Sequence, residues 1–325
     1  MVGRKITFYI TWIVALFTWQ GIQSQELTYS HFQVKDGLPS SEIYQSIQDE
    51  RGYMWFASDR GLIRYDGYDF QILTTDDGLG SDVIFGFHKD HDQRIWMYTY
   101  SGGIAYLQGD TLVVPDFNDS LIEVLGTAII GSMYVDLKGH IWMSSTRQRE
   151  IYHIYPSGQI EKKEPQSNDS YTHITTIDSL GFIYGYGGSF PMEKKHQYVS
   201  IISATDQWKV ELPNIGGHRR AGASVVKTKE AYYLTHYKKL VKIEGNNAVE
   251  YTSLPQLTTM SLFEDSDQDV WIGVFGEGVF RYQDGNLKAQ PDHFLVKNSV
   301  SSIYEDSEGG CGLPPWMPGF FTRAA

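Results

Sequence analysis

Two stretches of the chain nearly repeat each other. Residues 51–67 read RGYMWFASDRGLIRYDG, and residues 268–285 read QDVWIGVFGEGVFRYQDG. Each copy has a tryptophan between apolar residues, then a glycine turn, a short segment ending in tyrosine and a second turn that contains Asp-Gly. Short apolar runs bounded by Gly and Asp turns predict strands joined as β-hairpins. The repetition therefore predicts a chain built from copies of one small β unit.

The same unit occurs six times along the chain. An aromatic residue marks one equivalent position in each copy, and successive anchors are 38 to 49 residues apart: Trp55, Trp96, Trp142, Tyr184, Tyr233 and Trp271. A period near 40 to 45 residues with frequent turn signals is typical of the four-stranded blade of a β-propeller. The predicted fold is all-β, a propeller of six four-stranded antiparallel blades plus an incomplete seventh.

The first unit shows the expected blade in detail. Residues 43–48 alternate apolar and polar side chains, and an Asp-Glu-Arg-Gly turn follows them. The next strands are predicted at residues 53–58, 62–65 and 68–72, with the hairpin signal Asp66-Gly67 before the last. The first turn recurs with aspartate at its start in four later units, at Asp90, Asp136, Asp178 and Asp265.

Residues 28–34 resemble the fourth strand of a blade, with no first three strands before them. A closed ring can use such a strand by adding it to the last blade, which also removes an exposed edge. We therefore expect a propeller domain over residues 28–309, with 28–34 as the ring-closing outer strand.

The composition excludes several function classes. The formal net charge is −12 without any Lys/Arg-rich run, which argues against a nucleic acid partner. The single cysteine, Cys311, excludes an intramolecular disulfide and a Cys-based metal site. Catalytic and nucleotide-binding motifs do not occur, and His88 with His91 lacks the spacing of a metal site. We expect no catalytic residues, cofactor or metal.

The N-terminus predicts export. Arg4 and Lys5 precede an apolar run from Ile6 to Trp19, and Ser24 offers a small residue for cleavage before Gln25. The run is shorter than the roughly 20 residues that a membrane span requires. Residues 1–24 are interpreted as a signal peptide and the protein as periplasmic.

The repeated tryptophans invite a carbohydrate-binding interpretation, but a residue that recurs at one blade position favours packing between blades. Trp55, Trp96, Trp142 and Trp271 are therefore predicted to be structural anchors. The loops between second and third strands differ from blade to blade and share one face of a propeller, which makes them better candidates for a ligand site. The candidate ligand rim is formed by Asp59, Arg60, Tyr100, Arg147, His236 and Tyr237.

The segments GLPSS, IYQSIQD, GYMWFAS and GLIRYDG, all within residues 37–67, resemble the two-component regulator propeller repeat. That repeat is found in periplasmic sensor regions of membrane histidine kinases, especially in Bacteroidetes. The resemblance covers residues 28–308 and implies a sensor that continues into a membrane span and a kinase, both missing here. It implies a small-molecule, oligosaccharide or peptide ligand, membrane contact only through the missing C-terminal span, and leaves room for a homodimer of the full-length parent.

The last residues depart from the repeat. A seventh unit begins at residues 300–309, but three prolines and Cys311 follow where a tryptophan strand is expected. One permitted codon choice for Gly310 to Arg323, read from its third nucleotide, encodes LWFATLDAGVFYA, a near copy of Val270 to Tyr282. We interpret residues 310–325 as an aberrant, out-of-frame tail that packs poorly from about Gly310.

The sequence thus favours a non-enzymatic, ligand-sensing or protein-interaction propeller of two-component signal transduction, truncated before its membrane span and kinase. The alternative is a secreted propeller enzyme that acts on polysaccharide, as a lyase or a glycoside hydrolase. A paired-carboxylate site for glycoside cleavage stays open, because any two acids could meet on a propeller face.

Overall fold

The structure is a computed structural model of the chain. It describes residues 29–101, 103–145, 151–163, 170–177, 180–188, 195–202, 207–212, 223–229, 231–236, 239–251, 259–313 and 320–323. The predicted signal peptide, residues 1–24, lies outside the described residues.

The described residues form 28 strands and one α-helix. The strands in chain order are β1 (Tyr29–Phe32), β2 (Ile43–Gln48), β3 (Met54–Ser58), β4 (Leu62–Tyr65), β5 (Phe70–Leu73), β6 (Ile84–Lys89), β7 (Ile95–Thr99), β8 (Ile104–Gln108), β9 (Thr111–Val113), β10 (Ile130–Val135), β11 (Ile141–Ser145), β12 (Ile151–Ile154), β13 (Ile160–Lys163), β14 (Ser170–Ile177), β15 (Leu180–Gly188), β16 (Lys195–Ile202), β17 (Gln207–Leu212), β18 (Ala223–Lys227), β19 (Tyr232–His236), β20 (Lys239–Glu244), β21 (Asn247–Tyr251), β22 (Thr259–Glu264), β23 (Val270–Val274), β24 (Gly278–Tyr282), β25 (Asp292–Phe294), β26 (Tyr304–Glu305), β27 (Cys311–Leu313) and β28 (Phe320–Arg323). The helix, α1, spans Asn118–Leu125.

These strands form four-stranded antiparallel sheets, the blades of a β-propeller. Blades 1 to 6 are β2–β5, β6–β9, β10–β13, β14–β17, β18–β21 and β22–β25, each in chain order. Blade 7 has the order β1-β28-β27-β26. The all-β propeller of four-stranded antiparallel blades is confirmed.

The prediction of an incomplete seventh blade is wrong, because the last sheet has four strands. β1 lies at its outer edge and pairs with β28, with Tyr29 opposite Arg323 and Phe32 opposite Phe320. Cys311 and Leu313 of β27 are buried at 1% and 4% exposure. The expectation of a poorly packed segment from Gly310 therefore does not hold for residues 311–313, while residues 314–319 lie outside the description.

A turn between the first and second strands recurs in blades 1, 2, 3, 6 and 7, and in blades 1, 2, 3 and 6 it holds the anchor tryptophan by a hydrogen bond. Its fourth residue has positive φ, at Gly52, Gln93, Gly139, Gln268 and Gly309. Its first residue, an aspartate, accepts a hydrogen bond on Oδ2 from the indole Nε1 six residues later: Asp49 from Trp55 at 3.0 Å, Asp90 from Trp96 at 2.7 Å, Asp136 from Trp142 at 3.3 Å and Asp265 from Trp271 at 2.7 Å. The indole N–H is thus satisfied where burial would otherwise leave it unpaired.

The four anchor tryptophans are buried, at 0% to 7% exposure. Trp55 belongs to an apolar cluster with Ile84 and Ile95 of the next blade, and Trp271 to one with Val300 and Cys311 of blade 7. Burying a large aromatic side chain between blades stabilises both partners by a few kcal/mol, on the order of 25 cal/mol per Å². A positive group also lies over each ring, Arg64, Arg94, Lys163 and Arg281 in turn.

Side-chain hydrogen bonds link the inner strands of neighbouring blades. Phe87 N donates to Gln45 Oε1 at 2.8 Å, and Ser261 Oγ donates to the Val300 carbonyl at 3.2 Å. Blade 7 is joined to blade 1 in the same way, because Ser307 N donates to Gln48 Oε1 at 2.7 Å. The ring is therefore closed both by the outer strand β1 and by polar contacts near its centre.

Helix α1 is a feature that the sequence analysis missed. It lies between blades 2 and 3, with Leu121 and Leu125 fully buried against Trp96 and Met143. Asn118 Oδ1 accepts a hydrogen bond from Ile104 N at 2.9 Å. Within the described part of the chain, no helix is long and apolar enough to cross a membrane.

Candidate functional site

A repeated β-bulge shapes the centre of the propeller. The register between first and second strands shifts after Ile43, Ile84, Ile130 and Thr259, at the same place in blades 1, 2, 3 and 6. A bulge inserts one extra residue, so that its side chain leaves the regular alternation of the strand. The extra residues at three of these bulges, Tyr44, Phe85 and Met260, line a central cavity of about 610 Å³.

The bulge aromatics of blades 1 and 2 form one cluster. The rings of Tyr44 and Phe85 are 5.6 Å apart, and Phe85 meets Tyr100 edge-on at 6.1 Å. Tyr100 follows β7 and is 55% exposed, which is unusual for so large a ring and leaves its face open to a ligand. The cluster of Tyr44, Phe85 and Tyr100, here called the aromatic rim, therefore runs from the central cavity to the surface.

Two carboxylates lie beside the aromatic rim. Tyr44 Oη donates to Glu42 Oε2 at 2.9 Å. Partial burial raises the pKa of Tyr44 to about 12, helped by this hydrogen bond and by the negative charges of Glu42 and Asp59. Asp59 itself accepts a hydrogen bond from Ser40 Oγ. The rim thus combines open ring faces with hydrogen-bond acceptors, the pairing that a polar organic ligand requires.

The structure brings together only some of the predicted rim residues. Asp59 and Tyr100 flank the Tyr44 and Phe85 pair, and Arg60 is exposed beside Asp59. His236 is the last residue of β19, and only its backbone is described. Arg147 and Tyr237 lie outside the described residues, so their place in the rim stays a prediction.

Tyr44 and Phe85 were missed by the sequence analysis. Both follow an isoleucine at the start of the first strand, and the strict alternation assigned to residues 43–48 places Tyr44 on a regular strand face. An isoleucine followed by an aromatic residue at the same place in two blades was the available signal. The bulge turns these aromatic side chains toward the cavity, and the alternation of apolar and polar residues does not reveal where a bulge lies.

His88 lies deeper in the central cavity, and its burial makes the stability of the protein depend on pH. Its side chain is 6% exposed, and Nε2 lies 3.2 Å from the Val135 carbonyl, which assigns the proton to Nε2 in the neutral ring. Burial lowers the pKa of His88 to about 4, against small opposing contributions from Val135 and Asp90. His88 is therefore neutral at pH 7.

The free energy of unfolding should fall as the pH drops from about 6.5 to about 4. In that window unfolded His88 binds a proton and folded His88 does not, so that acid favours the unfolded state. Between pH 7 and pH 4.5, the lowered pKa of His88 should reduce the free energy of unfolding by about 2–3 kcal/mol. Urea unfolding at both pH values should show a smaller loss in His88→Gln than in the unsubstituted protein. Equal losses in the two proteins would contradict the lowered pKa.

The comparisons with known proteins agree with this architecture. Residues 37–60 match the family described as two component regulator propeller. No curated protein sequence matches the chain significantly. Among solved structures, the extracellular domain of the putative hybrid two component system BT3049 from B. thetaiotaomicron superposes with a TM-score of 0.69 at 16% identity, over 91% of this chain and 41% of that one.

Propeller lyases superpose equally well. A streptogramin B lyase structure has a TM-score of 0.67 at 14% identity, covering 91% of this chain and 97% of that one. The virginiamycin B lyase from Staphylococcus aureus has a TM-score of 0.66 at 12% identity, covering 92% and 99%. At such identities the likeness concerns the fold alone. Residues 37–60, in the first blade of a β-propeller of four-stranded antiparallel blades, are thus similar to the two component regulator propeller repeat.

Proposed function

We propose that this propeller is the extracytoplasmic sensor of a two-component signalling protein and that its ligand binds over the aromatic rim. The observation that carries the proposal is the open cluster of Tyr44, Phe85 and Tyr100 at the edge of the central cavity. The two-component regulator repeat at residues 37–60 supports the sensor role. The proposal includes export by residues 1–24 to the periplasm.

The rim chemistry favours an oligosaccharide or a peptide. Flat ring faces stack on sugar rings or on apolar side chains, and Glu42 and Asp59 offer carboxylates to hydroxyl or amide donors. The described rim residues place an exposed cation, Arg60, beside Asp59. Binding here would link blades 1 and 2 and would be sensed at the innermost strands of both.

The rim can be tested by a thermal-shift screen with soluble oligosaccharides and peptides. A compound at a hundred times its dissociation constant stabilises the folded state by about 2.7 kcal/mol, which corresponds to a rise of several degrees in Tm. Tyr100→Ala should abolish the rise with little effect on stability, because the side chain is exposed. Tyr68→Ala is the matched control, since Tyr68 is 90% exposed in the hairpin between β4 and β5.

Two outcomes would contradict the site. A compound whose shift survives Tyr100→Ala and Asp59→Asn binds elsewhere on the propeller. If Tyr100→Ala lowers Tm of the free protein as much as a core substitution does, the ring has a structural role.

An enzymatic function is the second candidate, favoured by the superposition on two propeller lyases over nearly their whole length. Under this alternative, a ligand found in the screen would be cleaved. Chromatography of that ligand after prolonged incubation separates the two candidates, because a sensor returns it unchanged and a lyase or hydrolase does not.

A further inference from the structure

The three rings of the aromatic rim are inclined to one another. The planes of Tyr44 and Phe85 meet at 48°, and those of Phe85 and Tyr100 meet at 63°. A flat sugar ring can stack on only one of three such planes. A compact cation is attracted to the face of each ring, because the face of an aromatic ring carries partial negative charge. The ring geometry therefore favours a cationic group in the ligand.

The loops on the rim face of blades 1 and 2 carry an excess of negative charge. These loops are the connections at residues 33–42 and 74–83 and the segments between second and third strands at residues 59–61 and 100–101. Their charged residues are six acids and two bases: Asp36, Glu42, Asp59, Asp76, Asp77, Asp82, Lys35 and Arg60. The resulting charge of −4 is a third of the chain's net charge of −12. A field of this sign attracts cations and repels anions.

The two carboxylates nearest the rings are held together by one serine. Ser40 Oγ donates to Asp59 Oδ1 and accepts a hydrogen bond from Glu42 N at 3.0 Å. Glu42 Oε2 in turn accepts from Tyr44 Oη at 2.9 Å. Partial burial, and then the hydrogen bond and charge of Glu42 and the charge of Asp59, raise the pKa of Tyr44 to about 12. The negative charges of both carboxylates are thus felt at the first ring of the rim.

Rings and carboxylates together are the groups that recognise an ammonium ion. An ammonium group has three N–H donors and no acceptor, so it pairs with carboxylate oxygens, while its positive charge is attracted to ring faces. Tyr100 is 55% exposed, and Glu42 is exposed as well, so both are open to a ligand from solvent. The central cavity of about 610 Å³ beside the rim leaves room for the rest of the ligand.

We propose that the aromatic rim binds an alkylammonium group, as carried by a lysine side chain or an amino sugar, between its ring faces and the carboxylates of Glu42 and Asp59. The inference rests on the proposed function and adds the charge of the ligand to it. A neutral or acidic compound of the same size is bound less tightly, because it lacks the attraction to the rings and to the loops around them.

Paired amines and amides test the charge of the ligand. Isothermal titration at low salt should detect binding of a tetralysine peptide, a glucosamine tetramer or both, and the pattern tells which source of the ammonium group fits. Acetylation of the amino groups should weaken binding about tenfold or more. Raising the salt concentration from about 0.02 M to about 0.5 M should weaken the binding of the amines several-fold, because the charges are partly exposed.

Four variants place the ammonium group at the rim. Glu42→Gln and Asp59→Asn keep the size of each side chain and remove its charge, and combined they should weaken amine binding about three- to tenfold. Tyr100→Leu keeps an apolar side chain without a ring face and should weaken it about three- to thirtyfold, whereas Tyr100→Phe should preserve it. Glu50→Gln is the matched control, since Glu50 is an exposed acid in the turn at the opposite face of blade 1 and should leave the titration unchanged.

Circular dichroism checks that each variant is folded, and Glu42→Gln alone suffices if the combined variant is not. Binding that survives acetylation, or that Glu50→Gln weakens as much as the rim variants do, reflects contacts other than this site and overturns the proposal. Full affinity in Tyr100→Leu overturns it as well, and so does a protein that binds neither amine. If a neutral compound nevertheless binds in a Tyr100-dependent way, the proposed sensor site stands and only the charge of its ligand is wrong.

Discussion

Replacing Trp271 with alanine should lower the free energy of unfolding by about 3–5 kcal/mol. The side chain is fully buried between blades 6 and 7, with Phe294 and Arg281 against its ring. Its loss removes this packing and also leaves Asp265 Oδ2 without the indole donor at 2.7 Å. Urea unfolding followed by circular dichroism measures the change.

Two further variants divide this effect into packing and hydrogen bonding. Trp271→Phe keeps most of the ring but removes the N–H, so the cost should fall to about 1–3 kcal/mol. Tyr68→Ala removes an exposed ring and should cost less than about 0.5 kcal/mol. A Trp271→Ala protein as stable as Tyr68→Ala would show that the tryptophan is not a structural anchor.

Replacing residues 311–323 with LWFATLDAGVFYA should stabilise the chain by about 2–4 kcal/mol. Asp306 already begins the turn between the first and second strands of blade 7, accepting hydrogen bonds on Oδ1 from Glu308 N at 2.9 Å and Gly310 N at 2.7 Å. The tryptophan expected six residues later is Gly312. The replacement, which is the sequence of the alternative reading frame, places an indole at that position.

The matched control for this replacement is the same segment with glycine in its second position, LGFATLDAGVFYA. The two proteins should differ in stability by most of the predicted gain, because they differ only in the indole. Equal stabilities would mean that the seventh blade does not use the anchor of the other blades. Sequencing the gene tests the reading frame itself, since the codons for residues 310–323 must encode a tryptophan strand in the shifted frame.

The strands of blade 1 could be predicted closely because their signals are local. Alternation and the Asp-Gly hairpin place the first strand at residues 43–48 and the third at residues 62–65, as observed in β2 and β4. The anchor position repeats because each of the four tryptophans is buried and donates its indole N–H to the aspartate six residues earlier. Repetition thus reveals the scaffold without any knowledge of long-range contacts.

Features that occur once could not be predicted in this way. Helix α1 lies inside the 46-residue step between Trp96 and Trp142. Its Leu121 and Leu125 are buried because they pack against residues of the neighbouring blades, which the local sequence does not reveal. The strand at Cys311–Leu313 contradicts its local sequence, because pairing with β26 and β28 outweighs low strand propensity. The aromatic rim depends on bulges in two blades, which no single segment encodes.

The outer strand of blade 7 has a consequence for biosynthesis. β1 is among the first segments of the propeller to be synthesised, whereas its partner β28 follows roughly 290 residues later, a delay of about 15–60 s at ribosomal rates of 5–20 residues per second. Until then β1 has an unpaired edge of the kind that recruits other strands. Ring closure therefore follows the synthesis of the other six blades, and during that interval the free edge of β1 is open to pairing with other strands.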